Sequence, residues 1–154
     1  MIFSDEVYRG TEIPGGFQIP SICEQYDGGL SLGVLSKSYG FPGLRIGWVA
    51  CKNPELLRKI ANIKHYLSIC NSAPSEWLAR QVLKNKDQIL KENNQLVDAN
   101  YQKVKNYFLS RPDLFEWYEP RGGCVAYPRY LGDQKVTDLA QQLLQKKEVL
   151  ILPD

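Results

Sequence analysis

The chain has 154 residues, of which 44% are hydrophobic and 23% are charged, and its formal net charge is +2. These values are typical of a globular protein and argue against intrinsic disorder, and the length suits one ordinary domain or parts of two. The basic residues are scattered, so the sequence lacks the clustered lysines and arginines of a nucleic-acid-binding surface. A membrane-spanning helix needs about 18 consecutive apolar residues, and no run in the sequence approaches that length.

The cysteines and the N-terminus indicate the compartment. The four cysteines form no CxxC pair and lie far apart, at Cys23, Cys51, Cys70 and Cys124. This spacing predicts neither a zinc site nor a secreted disulfide framework. Met1 is not followed by a basic region and a long apolar stretch, so the N-terminus does not resemble a signal peptide. We therefore expect a reduced, cytoplasmic protein without a metal centre.

The first third of the sequence predicts strands separated by a long loop. The elements in chain order are a strand at 1–4, a loop at 9–29 with a helical turn near 21–25, a strand at 30–35, a turn at 39–43 and a strand at 44–51. Glycines and prolines, Pro14 and Gly15 among them, predict the loop. The apolar run at 30–35 lacks strict alternation, which favours a strand buried on both faces of a parallel or mixed sheet.

Helices are predicted to follow, and then a segment of mixed character. Asn53 and Pro54 are typical start signals of a helix, another helix begins at Ser72 or Ser75, and a long one covers about 87–109. The remaining predictions are strands at 115–118 and 124–128 around a turn at 120–123, a helix at 136–147 and a strand at 149–152. This last part is of the α+β class. Because the sequence opens and closes inside predicted strands, we expect a truncated or incomplete polypeptide.

Three sequence features contain the side chains of a candidate reactive site. They are the Asp5-x-x-Tyr8 pattern, Lys37, and Arg45 placed eight residues after Lys37. Each alone is weak evidence, since an acidic strand end, a surface lysine and a lone arginine are all common. The combination is stronger, because residues 36–48 form the long and chemically specific string SKSYGFPGLRIGW.

Residues 4–8 and 33–48 resemble the fold-type-I pyridoxal-phosphate enzymes, specifically the class I/II aminotransferase superfamily. The resemblance continues through residues 69–76 and Gly122-Gly123, and so covers essentially the whole chain. It implies an α/β fold that comprises part of the large domain of a PLP transferase, with a few-stranded mixed sheet and helices, and an α+β small C-terminal domain.

The same resemblance implies a division of the chain. Residues 1–95 would form the C-terminal part of the cofactor-binding large domain. Residues 96–154 would form an incomplete small domain, and the helix at about 87–109 would join the two.

The resemblance also implies a role for each matched residue toward pyridoxal 5'-phosphate. Lys37 would hold the cofactor aldehyde through its neutral amine and then serve as general acid and base at the substrate's Cα. Asp5 would pair with the protonated pyridine nitrogen, Tyr8 would hydrogen-bond the phenolic oxygen of the ring, and Arg45 would bind the phosphate. We expect burial at a strand end and the neighbouring arginine to favour the neutral amine of Lys37. The turn at 39–43 would bring Lys37 and Arg45 to one side.

One position departs from the pattern of the family. Many relatives carry a phosphate-binding serine three residues before the lysine, and here that place is taken by Val34, while Ser36 directly precedes Lys37. We include Ser36 among the cofactor-binding candidates, and one phosphate contact is either missing or supplied differently.

Other residues have a structural as well as a functional interpretation. Packing in the core or at its rim is the preferred interpretation for three aromatic residues, Tyr39, Phe41 and Trp48. His65, the only histidine, is interpreted as a surface residue at a helix end. Asn71 and Ser72 resemble a segment that crosses a dimer interface in this family, and Ser72 also suits a helix N-cap, so both roles can hold together.

The function implied by the resemblance is amino-group transfer between an amino acid and a 2-oxo acid. β-Elimination or ring formation at Cα would use the same residues. In the family, a phosphate-cradling loop lies upstream of the matched part and the arginine for the substrate carboxylate lies downstream. We therefore expect either an incomplete aminotransferase, assembled as a homo-oligomer that covers the exposed sheet, or a non-catalytic fragment or interaction module derived from one.

Overall fold

The computed structural model describes residues 1–13 and 16–153, so Pro14 and Gly15 of the predicted loop lie outside the described residues, as does Asp154. The chain divides into two compact units. The first comprises residues 1–99 together with 121–124, and the second comprises residues 100–120 together with the segment from Val125 onward.

The sheet of the first unit has three strands in the order β1-β2-β3, which are Ile2–Asp5, Gly29–Val34 and Gly47–Ala50. β1 and β2 are parallel, whereas β2 and β3 are antiparallel. The predicted few-stranded mixed sheet is therefore confirmed. The strand predicted at 44–51 is shorter than expected, because Pro42–Leu44 form a turn of 3₁₀ helix and Arg45 is left-handed at φ 55°.

The helices of the first unit begin where the sequence predicts. They are α1 (Ile22–Gln25), α2 (Pro54–Ser68), α3 (Ala73–Lys84) and the first part of α4 (Lys86–Leu109). Asn53 caps α2, since its Oδ1 accepts a hydrogen bond of 3.1 Å from the backbone N–H of Leu56. Ser72 occupies the N-cap position of α3, but its hydroxyl makes no capping hydrogen bond.

The core of the first unit lies where β2 runs into the following turn. Leu35 is completely buried there against Ala79 and Val82 of α3. Tyr39 packs against this cluster and meets Trp48 edge to face at 6.4 Å between ring centroids. Burial, followed by the charge of Asp87, raises the pKa of Tyr39. The packing interpretation is confirmed for Tyr39 and for Trp48, which contacts Tyr39 although it is partly exposed. Phe41 is also partly exposed.

The second unit is built on the latter part of α4, the short antiparallel strands β4 (Phe115–Glu116) and β5 (Arg129–Tyr130), and α5 (Val136–Lys147). Phe108 of α4 stacks on Trp117 at 5.3 Å and meets Phe115 edge to face at 5.0 Å. An aromatic cluster therefore joins α4 to the small sheet.

Two strands predicted for the second half are wrong. Residues 124–128 are not a strand, because β4 pairs with β5 at Arg129–Tyr130 instead. Residues 149–152 also form no strand. The N–H of Val149 is already bonded to the carbonyl of Leu143, six residues earlier, and the helix ends at a left-handed residue, Glu148.

Candidate cofactor site

The candidate site lies at one edge of the first unit's sheet. β1 ends at Asp5, which is paired with Leu32 of β2, and the N–H of Glu6 donates to the carbonyl of Leu32 at 3.0 Å. Because β1 and β2 are parallel, the loops that leave their carboxyl ends begin at the same edge. Asp5 and Tyr8 belong to the first of these loops, and Ser36 and Lys37 belong to the second.

Ser38 joins the two loops next to Lys37. Its hydroxyl donates to the carbonyl of Val7 at 2.9 Å, and the Ser38 side chain is almost fully buried. The Nζ atom of Lys37 lies 5.9 Å from the centre of the Tyr8 ring. The structure thus brings Lys37 and Tyr8 together, although they are far apart in sequence. The Lys37 side chain is exposed, however, so the predicted burial of its amine is wrong for the chain as described.

The turn after Lys37 is closed at both ends. The N–H of Leu35 donates to the carbonyl of Ile46 at 3.0 Å, and the N–H of Gly40, which has φ 77°, donates to the carbonyl of Lys37 at 2.9 Å. Glycine suits this left-handed position because it has no Cβ. Lys37 and Arg45 therefore belong to a single closed loop, which contains the predicted turn.

The other candidates on these loops have separate surroundings. Asp5 is exposed, and its Oδ1 accepts a hydrogen bond of 3.2 Å from the N–H of Val7. Arg45 is also exposed, and its Nη1 donates to the carbonyl of Pro42 at 3.0 Å. Ser36 is half-buried in the bend between Leu35 and Lys37.

A returning segment, residues 121–124, packs against the Tyr8 loop. The N–H of Ile13 donates to the carbonyl of Arg121 at 3.1 Å, and the N–H of Gly123 donates to the carbonyl of Thr11 at 2.9 Å. A Cβ on Gly123 would stand 3.3 Å from Cγ of Tyr8. This close approach brings the Cys124 sulfur to 4.0 Å from the Tyr8 hydroxyl. Sequence spacing could not have predicted Cys124 as a neighbour of Tyr8.

The surroundings of Tyr8 disfavour its phenolate. Burial is the largest cause that raises the pKa of Tyr8 above its ordinary value, and the neighbouring Cys124 and the charge of Asp5 raise it further. Tyr8 therefore remains a hydrogen-bond donor over a wider pH range than an exposed tyrosine.

Replacing Cys124 with alanine should lower the pKa of Tyr8 only part of the way to the ordinary value, because burial remains. The chain has nine tyrosines, so the titration of Tyr8 is obtained by subtracting the tyrosinate absorbance of a Tyr8→Phe variant in each background. Cys70→Ala, at another exposed cysteine, is the control and should leave the pKa of Tyr8 unchanged. An unchanged pKa in Cys124→Ala would contradict the assignment of Cys124 as a cause.

Glu6 is the residue of this region that sequence reasoning missed. Its carboxylate accepts hydrogen bonds from the Ser21 hydroxyl at 2.6 Å, the Ser31 hydroxyl at 2.8 Å and the N–H of Ile22 at 2.9 Å. The guanidinium of Arg9 donates to it as well, at 3.2 Å. Burial alone would raise the pKa of Glu6, but the three hydrogen bonds and the charge of Arg9 outweigh it and hold the pKa below its ordinary value.

His65 and Asn71 lie outside these loops. His65 is exposed in the last turn of α2, which confirms that it is a surface residue at a helix end. The side-chain amide of Asn71, which precedes α3, donates to the carboxylate of Glu76 within α3 at 3.1 Å.

Among residues 1–13 and 16–153, no group of three or more acidic, histidine or cysteine side chains could hold a metal ion. In the same part of the chain, no helix is long and apolar enough to cross a membrane.

Comparisons with known proteins give a consistent result. Residues 1–154 match the family model described as Aminotransferase class I and II. Capreomycidine synthase from Streptomyces vinaceus is 34% identical over 125 residues, which is 80% of this chain and 32% of that protein. An uncharacterised HTH-type transcriptional regulator, YisV, from Bacillus subtilis (strain 168) is 30% identical over 129 residues, or 80% of this chain and 26% of the regulator.

A solved structure agrees with the sequence relatives. The structure of a PLP-dependent aminotransferase from Streptococcus suis 89-1591 is similar with a TM-score of 0.90 and 31% identity, over 98% of this chain and 39% of that one. The chain thus spans only about a quarter to two fifths of the length of the proteins it resembles.

Proposed function

The chain belongs to the class I and II aminotransferase family, and from this we propose that its two loops at the sheet edge bind pyridoxal 5'-phosphate in an enzyme that transfers an amino group between an amino acid and a 2-oxo acid. The observation that carries the proposal is the position of the Lys37 amine, 5.9 Å from the Tyr8 ring. Asp5 begins the neighbouring loop at the same edge.

The chemistry of the side chains suits this cofactor. An amine, a carboxylate, a phenol and a guanidinium are present as Lys37, Asp5, Tyr8 and Arg45, and these are the groups that an aldehyde, a pyridine nitrogen, a phenolic oxygen and a phosphate require. The exposed Lys37 amine is accessible to an aldehyde. Arg45 uses Nη1 on the Pro42 carbonyl, and its guanidinium carries further N–H donors for an anion.

Each residue would have a distinct task in the reaction. The cofactor, when bound, supplies an electron sink that stabilises negative charge at the substrate's Cα. Lys37 would hold the aldehyde and then carry the proton to and from Cα. Asp5 would keep the proton on the pyridine nitrogen, and Tyr8, whose pKa is raised, would donate a hydrogen bond from its protonated hydroxyl. Arg45 would bind the phosphate, with Ser36 as the further candidate.

Borohydride trapping tests this proposal. The chain is mixed with pyridoxal phosphate, reduced, digested and analysed by mass spectrometry, and we expect a pyridoxyl group on Lys37. Lys37→Ala should abolish that adduct, whereas Lys59→Ala, at an exposed lysine paired with Glu55, should retain it. Labelling spread evenly over surface lysines, with no preference for Lys37, would contradict the proposal and favour a non-catalytic interaction module.

We also propose the division into domains that the resemblance implies, with residues 1–95 in the large domain and 96–154 in the small domain. A cytoplasmic location agrees with the four free cysteines. A role in a biosynthetic process agrees with the name of the Streptomyces vinaceus relative, a synthase.

Assembly as a homodimer or larger homo-oligomer is supported by uncovered apolar surface. None of the residues of α2 is buried, and its Tyr66 and Leu67 are 92% and 76% exposed. Phe3 of the edge strand β1 is 60% exposed. Surfaces of this kind mark interaction sites in folded proteins. Light scattering at micromolar concentration should show a mass above that of the 17.6 kDa chain, and a well-behaved monomer would count against the proposal.

A further inference from the structure

The side chain of Glu6 and those of its neighbours in the candidate site have different partners. Asp5 Oδ1 accepts from the N–H of Val7, whereas the Glu6 carboxylate accepts from Ser21, Ile22 and Ser31. Only 14% of the Glu6 side chain is exposed. Glu6 is thus directed into the protein between two residues assigned to the cofactor.

The Glu6 carboxylate connects parts of the chain that are distant in sequence. Ser21 and Ile22 belong to the start of α1, and Ser31 lies in the middle of β2. Ser31 is almost fully buried, and its oxygen also accepts from the N–H of Cys23 at 3.1 Å. Hydrogen bonds to a charged carboxylate are roughly twice as strong as those between neutral groups, so this connection is a strong constraint on the Glu6 backbone.

The backbone from Asp5 to Tyr8 is also held by hydrogen bonds of its own N–H and carbonyl groups. The N–H of Glu6 donates to Leu32, and the carbonyl of Val7 accepts from Ser38. The carbonyls of Glu6 and Tyr8 accept from the nearby Arg9 and Thr11, which lie in the same loop. Asp5 and Tyr8 take their positions from this backbone, because the hydrogen bonds of their own side chains within residues 1–13 and 16–153 are limited to the Val7 contact and the weak 4.0 Å contact with Cys124.

Building on the proposed function, we propose that Glu6 is a positioning residue, whose carboxylate fixes the backbone between Asp5 and Tyr8 and thereby places both side chains for the cofactor. Arg9 contributes to the same constraint, since its guanidinium bridges the Glu6 carboxylate at 3.2 Å and the carbonyl of Ile19 at 2.9 Å. Glu6 does not itself touch the cofactor in this proposal.

The test compares Glu6→Gln with Val82→Ala. Glutamine keeps the size of the side chain but replaces one acceptor oxygen with a donor. One orientation of the amide loses the bonds from Ser21 and Arg9, and the other loses those from Ile22 and Ser31. Val82→Ala removes buried methyl groups of the core in α3 and lowers stability without touching the Glu6 contacts. The two variants therefore separate a local effect at the loop from a general loss of stability.

Two readouts are measured in both variants. The first is native-state hydrogen exchange of the Val7, Arg9 and Thr11 amides, relative to the Leu35 amide in the core. We expect exchange in Glu6→Gln to accelerate by about tenfold or more through local opening, with no such local change in Val82→Ala. The second is the rate at which pyridoxyl is trapped on Lys37, which should fall by about tenfold or more in Glu6→Gln only, since small displacements of positioned groups have effects of this size.

The outcomes distinguish the two proposals. If the wild-type chain forms no adduct at Lys37, the proposed function fails. If it does, and both variants trap pyridoxyl at the wild-type rate or show the same local exchange, the positioning role of Glu6 is overturned while the proposed function stands.

Discussion

Replacing Leu35 with alanine is expected to lower the free energy of unfolding of the first unit by about 2–5 kcal/mol, the range observed for fully buried leucines. Leu35 is the largest side chain that is completely buried in the described part of the chain, and it packs between α3 and the turn that carries Lys37. Its N–H and carbonyl are both bonded within this turn, to Ile46 and to Phe41, so the backbone cannot easily close the cavity.

Urea unfolding followed by circular dichroism measures this loss. Leu96→Ala is the matched control, because the same atoms are removed from a side chain of the first unit that is 64% exposed and lies outside α2 and β1, and we expect a change within about 0.5 kcal/mol. A loss below about 1 kcal/mol for Leu35→Ala would contradict its assignment to the core. An equally large loss for Leu96→Ala would show that burial of the side chain does not account for the effect.

Gly29→Ala is expected to have an effect of similar size through steric overlap. A Cβ at this position would stand 2.4 Å from the carbonyl oxygen of Ile22 and 2.8 Å from that of Tyr26. Both atoms belong to the backbone of α1 and its C-cap, so no side-chain rotation relieves the overlap. Gly29 also begins β2, where it is paired with Ile2. We expect a loss of about 1–3 kcal/mol or more, as for other overpacked positions.

Gly43→Ala is the control for this substitution. No atom lies within 4 Å of a Cβ built on Gly43, so we expect a change within about 0.5 kcal/mol. The comparison is made by urea unfolding of both variants. Equal losses in the two would contradict the assignment of the loss to the approach of α1 to β2, since the lower unfolded-state entropy of alanine by itself favours the folded state at both positions.

Elements with local start and stop signals were predictable from the sequence. α2 begins at Pro54 after its Asn53 cap, and α4 covers Lys86–Leu109, close to the predicted range. Strands were less predictable, because a strand needs a partner and the partner is distant in sequence. Residues 124–128 have the apolar character of a strand, yet β4 pairs with β5 a few residues later.

For a similar reason, only part of the candidate site could be predicted from the sequence. Asp5, Tyr8, Lys37 and Arg45 follow from short strings of sequence, and their proposed roles depend on the resemblance to the family. The partners of Glu6 at Ser21 and Ser31 lie 15 and 25 residues away. Cys124 is 116 residues from Tyr8. No local sequence pattern predicts contacts across such distances, and only the structure shows them.

The segment at residues 121–124 has a consequence for folding. The first unit is discontinuous in sequence, since it is completed by these four residues after the chain has passed through residues 100–120 of the second unit. Closing such an excursion costs chain entropy before the contacts with Thr11 and Ile13 form, and long-range contacts of this kind slow folding. We therefore expect residues 121–124 to pack beside Tyr8 late in folding, after the sheet and the Lys37 turn have formed. Synthesis from the N-terminus imposes the same order, because a nascent chain that has reached only Ala99 does not yet contain the segment.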